Sequence, residues 1–252
     1  MVKKLKFYSD FKIQKIHKKS ILLIGNFDGL HLGHQKLFNL AKKYKKKFNL
    51  KIGVITFEPM PKMYFNKKLK NFRISNSNQK IKILEKLGID FLIIKKFDKK
   101  FSKIKSHSFI KNILFNKLNP RYIFVSNNFR FGNKREGDVN QLIKYEEKYN
   151  YNIIKPKPFK LKNKIISSTF VRKLLANGKI ELVNKLLNRN WSINGLVSKG
   201  RQMGKIIGFP TCNIDIKDYV LARPGVYTAK IYQKNKNYSL KGIANIGYRP
   251  TF

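Results

Sequence analysis

The sequence is poor in cysteine and has no long apolar run. A single cysteine, Cys212, in 252 residues excludes an intramolecular disulfide framework and fits a reducing compartment. We expect it to be a small buried residue. No apolar run approaches the roughly 18 residues of a membrane span, and the first 19 residues lack the apolar core and cleavage site of a secretory signal. We therefore expect a cytoplasmic protein with no membrane partner.

Acidic residues are also scarce, with 13 against 56 basic residues and a formal net charge of +43. Such a charge normally indicates a nucleic-acid binder. The basic residues, however, are mostly lysines spread along the chain beside many Asn, Ile and Phe, as an A+T-biased coding sequence produces. We expect salt-sensitive adhesion to polyanions but no specific nucleic-acid partner. With 42% hydrophobic residues, the chain can fold as two modest domains; its oligomeric state stays open.

Residues 25–34, GNFDGLHLGH, join an apolar run to a lysine-rich amphipathic segment. This order predicts a strand, a glycine-containing turn and a helix. The N–H groups at a helix start favour anions, and imidazoles can donate hydrogen bonds to a transferring phosphoryl group. Because His31 and His34 are separated by Gly33, we interpret them as phosphate-handling residues rather than core or capping histidines. Asp28 either caps the helix or helps to place Mg²⁺ or the nucleotide.

Apolar runs of strand length alternate with segments of helical periodicity up to about residue 187. Strands are predicted at 20–25, 52–57, 91–94, 122–125 and 152–155, and helices at 35–48, 78–87, 106–118, 167–177 and 181–187. This alternation predicts an α/β fold with a doubly wound parallel sheet and ligands at the carboxyl ends of its strands. A polar loop follows at 127–138, where Asp138 is expected to cap a helix.

From Trp191 the pattern changes to short β-rich runs at 191–198, 225–233 and 238–246. Turns rich in Gly, Pro and Asn separate them, which predicts a small antiparallel barrel or sandwich. We place the domains at 1–187 and 188–252. The second is short for a closed barrel, so we expect an incomplete antiparallel β-barrel with an open edge.

Seven motifs carry a resemblance to a known family. They are GNFDGLHLGH (25–34), ITFEPMP (55–61), NNFRFG (127–132), SSTFVR (167–172), GKIIGFPTCN (204–213), RPGVY (223–227) and NIGYRPTF (245–252). In this order they resemble the signatures of the prokaryotic bifunctional riboflavin kinase/FAD synthetase family. The resemblance implies a Rossmann-like nucleotidyltransferase domain acting as FMN adenylyltransferase, followed by a riboflavin kinase barrel. It also implies ATP, FMN and riboflavin as small-molecule substrates, with Mg²⁺ as cofactor.

The resemblance further implies roles for individual residues. His31, His34 and Arg172 would be catalytic, stabilising the triphosphate and holding phosphates from the opposite side. The implied ATP-binding residues are Gly25, Asn26, Phe27, Asp28, Gly33, Ser167, Ser168 and Thr169. The implied flavin-binding residues are Asn127, Asn128, Phe129, Arg130 and Phe131; the two phenylalanines have an alternative as ordinary packing residues. In the kinase domain the implied Mg²⁺ ligands are Thr211 and Asn213, and the implied ATP loop contains Gly200, Gly204, Lys205, Gly208 and Pro210.

Three departures from the family pattern accompany these matches. The sequence ends before the family's glutamate general base, so we expect a truncated kinase domain with little riboflavin kinase activity. Met60 stands in place of a histidine, which would weaken ATP contacts. The family's G-x-D-F run appears as Ser126-Asn127-Asn128-Phe129, which loses a glycine and an acidic residue and would loosen the flavin loop. Three alternatives stay open: a kinase completed by another segment, a different acceptor such as pantetheine phosphate, or a decayed basic protein that binds flavin or nucleic acid without catalysis.

Overall fold

The structure is a computed structural model that describes residues 5–198, 211–216, 218–234 and 236–247. By contacts, the described residues form two compact units. The first contains Met1–Leu69 and Ser77–Ile166, and the second contains Lys70–Asn76 and Ser167–Phe252. The domain boundary that we place at 187/188 is a separate division of the sequence and stays a prediction.

A parallel six-stranded sheet forms the centre of the first unit. From edge to edge it contains β1 (Lys6–Tyr8), β4 (Phe91–Lys96), β3 (Ile52–Glu58), β2 (Ile21–Ile24), β5 (Tyr122–Phe124) and β8 (Asn152–Ile154). In β2, Ile21 is in register with Ile52 on one side and with Tyr122 on the other. The chain adds β3 and β4 on one side of β2 and then returns to β5 on the other. The winding therefore reverses between β2 and β5, where open α/β sheets bind ligands.

Helices cover both faces of this sheet, which confirms the doubly wound prediction. On one face α1 (Leu32–Phe48) and α3 (Ser77–Lys86) pack against Ile21 and Leu23 of β2. On the other, a π-helix (Phe109–Leu118) and α6 (Val139–Lys144) pack with Leu22 and Ile24. The four β2 side chains are buried, as expected for a strand that is covered on both faces. The helix predicted at 106–118 is thus mainly a π-helix, and β1 was not predicted.

Shorter elements complete the first unit. They are 3₁₀ turns at Lys15–His17 and Asn133–Arg135, α2 (Pro61–Phe65), α4 (Lys99–Ser102), α5 (Ser106–Ser108), α7 (Glu146–Tyr149), the antiparallel pair β6 (Arg130–Phe131) and β7 (Gly137–Asp138), and the antiparallel pair β9 (Lys160–Leu161) and β10 (Lys164–Ile165). Asp138 accepts a hydrogen bond from the backbone N–H of Gln141 at 3.0 Å, which confirms it as the cap of α6. No helix in the described part of the chain is long and apolar enough to cross a bilayer.

The second unit combines two helices with antiparallel strand pairs. Its elements are α8 (Ser168–Ala176), α9 (Ile180–Leu187), the pair β11 (Val197–Ser198) and β12 (Asn213–Ile214), and the pair β13 (Gly225–Tyr232) and β14 (Ser239–Ile246). The antiparallel pairing agrees with the barrel-like class predicted for this region. The run predicted at 191–198 is a strand only at its last two residues. Cys212 is exposed rather than buried, because its strand neighbourhood is itself exposed.

Candidate active site

The loop after β2 is a tight turn held by apolar side chains. Phe27, Gly29 and Leu30 have positive φ angles of 47°, 74° and 42°. A positive φ is costly for residues with a side chain, so other contacts must hold this conformation. Phe27 and Leu30 are buried in the core on the α1 side of the sheet. Burial of these two side chains thus fixes the backbone that leads to the histidines.

His31 and His34 lie together at the start of α1. His31 is the N-cap residue, and the two imidazole rings stack with their centroids 3.8 Å apart and their planes 21° apart. A Cβ atom on Gly33 would lie 3.2 Å from the His31 ring and 3.4 Å from the Ile166 carbonyl oxygen, tighter than ordinary packing. The glycine between the histidines therefore leaves the space that the stacked pair occupies.

His34 is electrostatically the more perturbed of the pair. Burial lowers its pKa well below the usual 6.5, and the nearby positive charges of His31 and Lys80 lower that pKa further. The ring of Phe27 meets the imidazole edge-on at 5.3 Å. Nδ1 of His34 is buried and has no hydrogen-bond partner among the described residues. At neutral pH His34 is thus a neutral imidazole whose Nδ1 can still form a hydrogen bond.

The first turn of α1 contains no acidic residue, which leaves the helix N-terminus favourable for an anion. Asp28 is buried, 3% exposed, and the N-cap position belongs to His31. Asp28 is therefore not the N-cap residue of α1. Placement of the nucleotide or of Mg²⁺ stays a prediction.

The backbone that precedes Asp28 is hydrogen-bonded to β3. The N–H of Gly25 donates to the Ile55 carbonyl at 3.1 Å, and a Cβ on Gly25 would lie 3.2 Å from the Phe27 ring. The Thr56 hydroxyl donates to the carbonyl of Asn26 at 3.3 Å. The loop that carries the histidines is therefore held by the neighbouring strand as well as by its own apolar side chains.

One charged residue of this region was missed by the sequence interpretation. Lys80 on α3 is only 3% exposed, and its ammonium donates to the Thr56 hydroxyl at 3.3 Å. Lys80 and Leu84, four residues apart, are both buried, so the lysine occupies a position on the apolar stripe of the helix. A lysine at a core-facing position is the pattern that would have revealed it.

The predicted flavin loop leaves β5, the strand beside β2. Asn127, Asn128 and Arg130 are exposed, Phe129 is half-buried and Phe131 is buried. The rings of Phe129 and Phe131 stack at 5.6 Å, and both contact the core. The carboxyl ends of adjacent parallel strands meet at one sheet edge, so this loop and the histidine loop begin side by side. Flavin binding by these residues stays a prediction.

Two departures from the family pattern lie in the first unit. Met60 is buried, 2% exposed, immediately before α2. In the flavin loop the Ser126 hydroxyl donates to Oδ1 of Asn128 at 2.9 Å. The loop thus has a local polar contact that partly orders it.

Ser167, Ser168, Thr169 and Arg172 belong to the second unit. Ser167 caps α8, accepting a hydrogen bond from the Phe170 N–H at 3.1 Å. Nε of Arg172 donates to the Phe72 carbonyl at 2.8 Å, and the guanidinium lies 3.7 Å from the centre of the Phe72 ring. The carbonyl and the ring of Phe72 therefore hold the guanidinium in a defined position. Its phosphate-holding role stays a prediction.

Few of the predicted kinase-site residues are described. Thr211 and Asn213 are exposed, and the Asn213 carbonyl accepts a hydrogen bond from the Ser198 hydroxyl at 3.4 Å. The remaining predicted residues of this site, Gly200, Gly204, Lys205, Gly208 and Pro210, lie outside the described residues.

Comparison with known proteins indicates the family to which this chain is similar. The family model described as FAD synthetase matches residues 13–170, and the model described as riboflavin kinase matches residues 187–252. A bifunctional riboflavin kinase/FMN adenylyltransferase of Buchnera aphidicola from Schizaphis graminum is 42% identical over 241 residues, which is 95% of this chain and 77% of the relative. The protein of the same name from Escherichia coli K12 is 35% identical over 231 residues, covering 92% of this chain and 74% of the relative.

A solved structure described as a macrolide-efflux protein from Streptococcus pneumoniae has a TM-score of 0.81 at 25% identity. The match covers 98% of this chain and 80% of that one. The riboflavin kinase model matches residues 187–252, and the comparisons do not support our expectation of a truncated kinase domain. The FAD synthetase match spans more than half of the sequence, and the chain belongs to the bifunctional riboflavin kinase/FMN adenylyltransferase family.

Proposed function

We propose that this enzyme makes FAD by transferring AMP from ATP to FMN. A phosphate oxygen of FMN attacks the α-phosphorus of ATP, the bond from that phosphorus to the bridging oxygen breaks, and pyrophosphate leaves. The observation that carries the proposal is the stacked His31–His34 pair, 3.8 Å apart at the start of α1. It lies on the loop that leaves the sheet where the winding reverses, next to the loop from β5.

The histidines would act as hydrogen-bond donors to the triphosphate. A neutral imidazole keeps one N–H, so a lowered pKa at His34 does not remove its capacity to donate. The N–H groups of the first turn of α1 add further donors. Preorganised donors aimed at the developing charge are the main means by which enzymes accelerate phosphoryl and nucleotidyl transfer. Arg172, with Ser167, Ser168 and Thr169, would hold phosphates, and Asn127, Asn128, Phe129, Arg130 and Phe131 would line the flavin.

Mg²⁺ fits this chemistry as an ion bound mainly by the substrate. Among the described residues there is no group of three or more His, Cys, Asp or Glu side chains that could hold a metal. Mg²⁺ usually takes only one or two protein oxygens and completes its shell with phosphates and water. Asp28 in the first unit and Thr211 and Asn213 in the second offer oxygen ligands of the kind it prefers. Bound Mg²⁺ would neutralise phosphate charge.

The test uses the purified full chain with FMN and Mg·ATP, and measures FAD and pyrophosphate. We expect equimolar formation of both products, and His31→Ala should abolish it. His107→Ala is the matched control, because His107 is an exposed histidine on α5 outside the proposed site. Absence of FAD with the parent enzyme would overturn the proposal, and AMP transfer to pantetheine phosphate instead of FMN would replace the acceptor.

A second activity, phosphorylation of riboflavin by ATP to give FMN and ADP, is favoured by the riboflavin kinase match over residues 187–252. The same preparation, given riboflavin and Mg·ATP, should form FMN. The His31→Ala variant should keep this activity, because the kinase reaction would use Thr211 and Asn213 rather than the histidine pair. If the parent enzyme forms no FMN from riboflavin, the proposal is restricted to the adenylyltransferase activity.

A further inference from the structure

Lys80 is a buried cation at a position where the helix should present an apolar side chain. It is 3% exposed on α3, one helical turn before the fully buried Leu84. Removing an ammonium from water costs several kcal/mol by general estimate unless partners compensate. Most of the basic residues that the structure describes are at least partly exposed, so a lysine kept in such a place suggests a specific role.

The contacts of Lys80 lead to the histidine loop. Its ammonium donates to the Thr56 hydroxyl at 3.3 Å, and that hydroxyl donates to the Asn26 carbonyl at 3.3 Å. An ammonium can only donate. The hydroxyl of Thr56 therefore accepts from Lys80 and turns its own hydrogen toward the loop. Thr56 is 2% exposed, so water does not compete with this chain of hydrogen bonds.

The surroundings place Lys80 beside the site rather than within a purely structural core. A small cavity is lined by Lys80 and Thr56 together with Glu58, Ser77, Ile81, Leu92 and Ile94. Thr56 and Glu58 lie at the carboxyl end of β3, the end at which the sheet binds ligands. The Ser77 hydroxyl donates to the Glu58 carboxylate at 2.8 Å, so this hydrogen bond orders one part of a wall that also contains the apolar side chains of Ile81, Leu92 and Ile94.

We propose that Lys80 is a positioning residue of the adenylyltransferase site, which acts through Thr56 on the Asn26 carbonyl and so fixes the loop that presents His31 and His34. The proposal rests on the function proposed above. The loop contains two non-glycine residues with positive φ, Phe27 and Leu30, and their buried side chains hold that backbone together with contacts from outside the loop. The hydrogen bonds from Lys80 on α3 to Thr56 on β3 and from Thr56 to Asn26 supply one such contact, at the residue directly before Phe27.

The same ammonium also acts on His34. The charged groups that act on His34 are His31, at the start of the same helix, and Lys80 from α3; the carboxyl of Asp28, on the loop before the helix, is buried. Removing the Lys80 charge removes one of the two positive charges that lower the pKa of His34.

The experiment compares Lys80→Met, Thr56→Val and the double variant with Lys82→Met as control, since Lys82 is exposed on the same helix. Circular dichroism confirms folding of each. We expect Lys80→Met and Thr56→Val to lower kcat/KM for FAD formation by about ten- to a hundred-fold, mainly through kcat, because a misplacement of about 1 Å can cost a hundred-fold. The double variant should be no worse than Lys80→Met, because both changes break one relay, and Lys82→Met should match the parent.

An NMR titration of the His34 imidazole separates the two parts of the inference. Lys80→Met should raise the His34 pKa, whereas Thr56→Val, which keeps the charge, should leave it in place. A kcat/KM within two-fold of the parent in both single variants, or losses that multiply in the double variant, would overturn the relay. If the parent enzyme makes no FAD, the proposed function fails, while the titration still shows whether Lys80 acts on His34.

Discussion

Two paired regions of the molecule, strand β2 with its neighbours and the β13–β14 hairpin, are stabilised in different ways. The hairpin pairs eight residues of each strand, yet Val226 is 70% and Ile243 is 76% exposed. Strand β2 has only four residues, all buried. Hydrogen-bonded length therefore does not measure what holds a strand, because net stabilisation comes largely from the apolar surface that is removed from water. The histidine loop is attached to the buried strand, where its geometry can be fixed.

The largest expected effect comes from the same substitution made in the two regions. Ile123→Ala in β5 removes a side chain with no exposed area and should lower the free energy of unfolding by about 2–5 kcal/mol. Ile243→Ala in β14 removes the same intrinsic preference for a strand but buries almost as much apolar surface as before. It should therefore lower the free energy of unfolding by less than about 1 kcal/mol. Denaturation followed by circular dichroism gives both values. Equal losses would show that the comparison of burial is wrong.

A smaller effect is expected from two glycines. A Cβ on Gly53 in β3 would lie 2.0 Å from Cζ of Phe91, so Gly53→Ala should destabilise the first unit by about 1–3 kcal/mol through overpacking. Gly247 follows the hairpin, and a Cβ there would meet nothing within 4 Å. Gly247→Ala should stay within about 0.5 kcal/mol of the parent.

The double variant Gly53→Ala with Phe91→Leu provides the control for the mechanism. If the clash is the cause, shortening the ring should recover part of the loss, so the double variant should be more stable than the sum of the single effects predicts. Strictly additive losses would mean that Gly53 is needed for another reason.

Most of the first unit was predictable because its signals are local. The central strands β2, β3, β4 and β5 appear as short apolar runs, and the turn after β2 follows from its glycines and histidines. Strand β1 gives no such signal: it has three residues at the sheet edge, two of them exposed, and is defined by pairing with β4. Such an edge strand depends on partners far away in the sequence.

Two other features were missed for a related reason. Segment Lys70–Asn76 joins the second unit through backbone hydrogen bonds, from Arg73 N–H to the Asp218 carbonyl at 2.8 Å and from Val220 N–H to the Arg73 carbonyl at 2.8 Å. Backbone contacts leave no pattern in the side chains. Lys80 was missed because a lysine in a lysine-rich helix is expected at the surface, and its place on the same helical stripe as Leu84 was the signal that could have indicated its burial.

The smallest expected effect is a loss of stability at acidic pH, and we expect it in the first unit rather than in the second. Burial, with the charges of His31 and Lys80, lowers the pKa of His34 in the folded enzyme below the ordinary 6.5. Below pH 6.5 the unfolded chain therefore binds a proton at this position that the folded chain does not. The contribution of His34 to stability is complete above pH 6.5 and is lost as the pH falls from 6.5 toward the lowered value, by at most about 1.4 kcal/mol per pH unit.

Denaturation at pH 7.5 and pH 5.5 measures this loss. Between these values the parent should lose about 1 kcal/mol more than His34→Gln, which has no proton to gain, whereas the control His107→Gln should behave like the parent because His107 is exposed. The fluorescence of Trp191, the single tryptophan and part of the second unit, reports on that unit separately. Acid sensitivity that is seen in the circular dichroism of the whole protein but not in the Trp191 fluorescence would sharpen the contrast, because the buried His34 imidazole would then account for it. Identical pH slopes in the parent and His34→Gln would overturn that explanation.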